Sequence, residues 1–197
     1  MRIPKFVLAA LTGVLLMTAS AEAAHAQFTG KLDPENTVYL DLKYGRVVIA
    51  LRPDLAPLTV AHIKKLIREK FYDGLKFHRV IAGFMAQTGD PLGNGTGGSG
   101  QTVPAEFTRK ASFVRGAVGL ARAQDPNSGD SQFFICLGDA TFLDGQYTLF
   151  GEVVSGMEFV DQIKTGPKQL NGMVQGQPDI IEKMRIMADV EKAGGKP

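Results

Sequence analysis

Tryptophan is absent from this 197-residue chain, which has one cysteine and three histidines. The single thiol, Cys136, excludes an intrachain disulfide, and so few soft ligands leave no Cys/His zinc site. Net charge is also scarce, because 22 Lys+Arg oppose 20 Asp+Glu for a formal +2. The basic residues are scattered, so neither composition nor clustering suggests a nucleic-acid surface. No apolar run reaches the ~20 residues that span a bilayer. What remains is ordinary: 44% hydrophobic and 21% charged residues, the balance of a globular domain rather than a disordered or collagenous chain.

The N-terminus has the three parts of a secretory leader. Arg2 and Lys5 supply positive charge, Phe6 to Met17 is apolar and uncharged, and small residues follow. Ala24-His25-Ala26 fits an A-x-A cleavage site, with Ala21-Glu22-Ala23 as a competitor. The reading is a signal peptide over 1–26 and a single domain over 27–197. The mature protein is expected in the periplasm or secreted, with no membrane attachment and as a monomer. In an oxidising compartment an unpaired thiol must be hidden. Cys136 lies in the apolar run Phe133 to Leu137, so a buried, inert thiol is expected.

Beyond the leader, Val38, Leu40 and Leu42 alternate with Tyr39, Asp41 and Lys43, the period of a half-buried strand. Val47 to Leu51 follows across Lys43 to Arg46, which predicts a hairpin. Pro57 suits a helix start, and Val60, Ile63, Leu66 and Ile67 recur at helical spacing. Tyr72-Asp73-Gly74 is expected to end that helix. Short apolar runs follow at 77–81, 84–88, 117–121, 132–137 and 148–154. A second helix is expected over 156–164, and the alternation of 180–190 fits a long strand better than a helix. Many short strands with few helices point to a barrel or sandwich, and the two helices could plug open ends.

Most chemical signatures are missing. The glycine stretch 93–100 lacks the phosphate-loop order, and reads as a loop that lets backbone approach a ligand or a neighbouring strand. There is no G-x-S-x-G elbow. Asp90, Glu106, Asp125, Asp130, Asp139 and Asp144 sit in loops, with no spacing that singles out an acid/base pair. His62 reads as structural or partly exposed. Arg79 stands out: an always-charged group inside an apolar stretch needs an explanation. If the strand alternates, Phe77 and Arg79 share a face. Arg79 then either pairs with a carboxylate or carries its charge into a functional site.

The segment Phe77-His78-Arg79-Val80-Ile81-Ala82-Gly83-Phe84-Met85-Ala86-Gln87-Thr88-Gly89-Asp90 resembles the signature of the cyclophilin family of peptidyl-prolyl cis–trans isomerases. Gly95 to Gly98, Ser131 to Ile135 and Phe142 to Gly145 resemble further family motifs, in order and at similar spacing. The resemblance implies a mostly β fold, a closed eight-stranded antiparallel β-barrel capped by two α-helices. It implies an enzyme that accelerates proline-limited folding, without metal or cofactor, on proline-containing unfolded or exported polypeptides. The alternative is a non-catalytic proline-binding or chaperone module.

The same resemblance makes Arg79 the catalytic cation, and makes Phe84, Met85, Phe134 and Leu143 the proline pocket. It implies that Gln87 and the backbone of Ala121-Arg122-Ala123 hold the substrate main chain, with Arg122 acting mainly through its backbone. Gly95, Thr96 and Ala123 would border the pocket for the residue upstream of proline. Two positions depart from many eukaryotic members, Phe142 in place of tryptophan and Tyr147 in place of histidine. The first removes an indole donor, so weak or no cyclosporin binding is expected.

Overall fold

The structure is a computed structural model and describes residues 31–194. The expected leader lies outside the described residues. Strands β1 (Thr37–Leu42) and β2 (Gly45–Leu51) form the expected hairpin, with Leu42 opposite Gly45. Helix α1 (Pro57–Arg68) follows. Its first N–H groups have no capping side chain at Ala56; instead Glu106, distant in sequence, accepts from Leu58 N at 2.9 Å and Thr59 N at 2.8 Å. Val60, Ile63, Leu66 and Ile67 are buried as the helical period requires. The helix ends at Arg68, before Tyr72-Asp73-Gly74, and Lys70 already takes a left-handed φ of 57°.

The remaining strands are β3 (Arg79–Ile81), β4 (Met85–Thr88), β5 (Ala117–Leu120), β6 (Phe133–Cys136), β7 (Leu149–Ser155) and β8 (Lys183–Ile186). All pairings are antiparallel, in the order β3-β4-β6-β5-β7-β2-β1-β8. The expected closed barrel is therefore corrected: the sheet is open, with β3 and β8 as its edges. Irregular backbone lies along the gap. Lys76 bridges to Ile180 and Arg79 to Met173, while Phe77 N donates to Asp179 O at 2.8 Å and Val80 N to Gly172 O at 2.8 Å. Asp179 also anchors this seam through its carboxylate, which accepts from Lys164 N at 2.8 Å and pairs with Lys43 Nζ at 2.6 Å.

Two helical expectations also change. The second helix is a single turn, α2 (Met157–Val160). The long strand expected over 180–190 is only β8, after which α3 (Met187–Lys192) begins, so there are three α-helices among the described residues rather than two. Alternating apolar residues occur on both sides of this junction, and period alone does not mark where pairing with β1 stops. The main core joins Val38, Leu40, Val47 and Ile49 to Ile63 and Ile67 of α1, Phe133, Ile135, Phe150 and Ile186. Phe77 belongs to it as well.

Candidate active site

Strand alternation sorts β3, β4, β6 and β5 into two faces. Val80, Ala86, Phe133, Ile135, Val118 and Leu120 enter the main core. The opposite face carries a cross-strand row in which Arg79 faces Gln87, Gln87 faces Phe134, and Phe134 faces Gly119. Beside it, Ile81 faces Met85 and Met85 faces Cys136. Phe77 does not share the face of Arg79, because regular pairing begins only at Arg79 and Phe77 turns into the core.

On that second face Met85, Phe134 and Leu143 are buried with Phe113, Ala117, Cys136, Ala140 and Leu149. Phe113 stacks on Phe134 at 5.7 Å between centroids, and Tyr147 meets the same ring edge-on at 5.9 Å. Phe84 lies 5.5 Å from Phe142, which remains 63% exposed. A Cβ at Gly119 would collide with the rings of both Phe134 and Phe113, so the missing side chain is what admits the aromatic stack. The Cys136 thiol is buried as expected and is pushed up to about 12, first by burial and then by Asp139 and Asp144.

Arg79 stands beside this apolar cluster with neutral partners only. Its Nε donates to Asn171 O at 2.9 Å, Nη2 to Asn171 Oδ1 at 3.0 Å and Nη1 to Gln87 Oε1 at 3.1 Å. Arg46, Arg52, Arg68, Arg115 and Arg185 each pair with a carboxylate; Arg79 has no such partner among the described residues. Burial accordingly lowers its pKa, partly opposed by Tyr147, though an arginine stays charged throughout the working range. An unneutralised guanidinium beside an apolar surface can stabilise electron density that forms there.

Gln87 is engaged at both ends, since its Nε2 donates to Gln132 Oε1 at 2.9 Å. Gln132 Nε2 then reaches Gly95 O at 3.1 Å and Gly97 O at 2.8 Å, tying the glycine loop to the row. That loop wraps two carboxylates rather than a phosphate. Asp90 accepts from Leu92, Asn94 and Gly95 N–H groups, and Asp130 from Ser99 and Gly100. Burial would raise the Asp90 pKa, but these backbone donors hold it below the usual carboxylate value. Side chains at Gly97 and Gly98 would strike Asp90 and Asp130. Thr96 is exposed and bonds within the loop to Asn94 Oδ1. His62 is buried near Asp130 rather than partly exposed.

Ala121, Arg122 and Ala123 follow β5 along the cluster. Ala121 N donates to Gln132 O at 2.9 Å, and the exposed Ala123 donates to Ser128 Oγ at 2.9 Å. The Arg122 side chain also packs against the cluster edge. It lies 4.6 Å above the Tyr147 ring and donates to Gln146 O at 2.9 Å and Ala123 O at 2.8 Å. Packing, not only backbone, thus joins the two loops. Among the described residues no cluster of three or more His, Cys, Asp or Glu could hold a metal.

The family model for cyclophilin type peptidyl-prolyl cis-trans isomerase/CLD matches residues 37–186, which holds every strand described above. The chain belongs to the cyclophilin family. A probable peptidyl-prolyl cis-trans isomerase of Brucella suis is 52% identical over 94% of this chain and 99% of its own. Peptidyl-prolyl cis-trans isomerase B of Bacillus subtilis is 42% identical over 71% of this chain and 99% of its own. Among crystal structures, a Hirschia baltica cyclophilin superposes with a TM-score of 0.72 at 27% identity, covering 81% of this chain and 77% of that one. A Cryptosporidium parvum cyclophilin, crystallised in the presence of the dipeptide Ala-Pro, gives 0.69 at 28% identity over 76% of this chain and 98% of that one. This cyclophilin is a peptidyl-prolyl cis–trans isomerase.

Sequence reasoning missed three residues that shape its site. Gly119 carries the usual signal of a glycine inside a strand, and Gln132 lies within a quoted family motif, whereas Asn171 has only the weak mark of an Asn-Gly turn. Replacing Gly119 by Ala should lower stability by about 1–3 kcal/mol through overpacking, with perturbed ring signals of Phe134 and Phe113. Unchanged melting and unchanged aromatic NMR shifts would show that the ring stack does not depend on this glycine.

Proposed function

We propose that Arg79 is the electrostatic catalyst of this cyclophilin, acting on prolines held against Phe84, Met85, Phe134 and Leu143. The X–Pro bond turns slowly because rotation removes amide resonance, behind a barrier of about 18–20 kcal/mol. Halfway round, the imide nitrogen becomes pyramidal and gains a lone pair. A cation that donates to it favours the twisted state over both planar isomers, which is the differential binding that catalysis requires. No bond forms or breaks, so the chemistry calls for no nucleophile. The observation that carries this reading is the guanidinium held without a carboxylate beside the apolar cluster.

In this reading Gln87 steadies Arg79, while Ala121 to Ala123 and the Gly95-Thr96 backbone flank the substrate chain. The substrates are proline-containing polypeptides, as the Ala-Pro dipeptide used with the Cryptosporidium parvum relative suggests. The leader pattern of residues 1–26 supports an exported enzyme, periplasmic or secreted, that meets clients as they fold. Phe142 and Tyr147 at the cluster edge support weak cyclosporin binding.

Arg79→Ala should lower the isomerisation rate by about 10²-fold or more, by analogy with loss of one transition-state donor, with the circular dichroism unchanged. NMR exchange on an Ala-Pro peptide measures it, and a wild-type rate removes Arg79 from the mechanism. Phe142→Trp should tighten cyclosporin binding; an unchanged titration would assign drug sensitivity to another residue. Mass spectrometry of the exported protein should find an N-terminus at Gln27, or at Ala24 if the competing site is used. An intact Met1 would dismiss the leader.

A further inference from the structure

We propose that Asn171 is a positioning residue, which aims the Arg79 guanidinium while leaving its charge unneutralised; the inference rests on the catalytic reading of Arg79. Asn171 grips the arginine through two atoms, its carbonyl oxygen on Nε and its Oδ1 on Nη2. With Gln87 on Nη1, three of the five guanidinium N–H groups are fixed. The plane is therefore set from two sides, and two donors are left over.

The backbone explains how one residue supplies both acceptors. Asn171 ends a 3-10 turn over Lys168–Leu170 and takes a left-handed φ of 51°. Gly172 follows at φ 78°, packed so tightly that a side chain would strike Ile81. Gly172 O accepts from Val80 N, and Met173 bridges Arg79 itself. The turn is thus pinned to the arginine's own strand. Asn, Asp and Gly all tolerate this conformation. Gly would give the carbonyl alone, and Asp would give both acceptors but add a negative charge. Only Asn combines the backbone geometry, a second acceptor and neutrality.

The test compares Asn171→Asp and Asn171→Gly with the wild type and with Arg79→Ala, using NMR exchange on an Ala-Pro peptide over a range of concentrations. Both substitutions suit the left-handed backbone and should fold. Asn171→Asp should lower kcat by about 10-fold or more with KM nearly unchanged, because the added carboxylate neutralises the guanidinium while its geometry is kept. Asn171→Gly should lower kcat by about 3-fold to 10-fold, and should move the Arg79 Nε–H signal and speed its exchange with water. Wild-type kcat in both variants while Arg79→Ala stays slow overturns the role of Asn171 alone, as does a loss confined to KM or an unmoved Nε–H signal. A wild-type rate in Arg79→Ala overturns the catalytic reading and this inference with it.

Discussion

The two-residue period of four neighbouring strands is the constraint from which the site follows. Because Val80, Ala86, Ile135 and Val118 must point into the core, Arg79, Met85, Phe134 and Gly119 have no choice but the other face. A slip of one residue in any of these strands would exchange the two sets. The arginine is therefore held in place by the same hydrophobic burial that folds the sheet.

Charge is the second organising theme. Most arginines here are spent on carboxylates, which discharges them locally. Arg79 is surrounded by amide oxygens instead, and amides orient a cation without cancelling its field. Asp90 and Asp130 are enclosed by the glycine loop, each occupied by N–H or O–H donors. These two carboxylates serve the scaffold, and Arg79 keeps its charge beside the cluster.

Much of this is legible in the sequence. The hairpin, α1 and the short strands around Met85, Val118, Phe134 and Phe150 follow from period and punctuation, and the family resemblance links the candidate site residues across them. What local pattern could not supply was partnership across long sequence separations. Nothing near Arg79 announces Asn171, and nothing near Leu58 announces the cap from Glu106. The closed barrel failed for a related reason: strand count says nothing about whether the last edge meets the first, and here irregular backbone takes that position. At 187, the alternation favoured a continued strand, whereas the chain turns into α3, which packs beside β1 and β8.

Cys136 lies against Met85, two strands over from the arginine, sealed from solvent and kept as a thiol far above neutrality. With its lone thiol walled in and reluctant to ionise, this isomerase offers no sulfhydryl of its own for exchange with a disulfide.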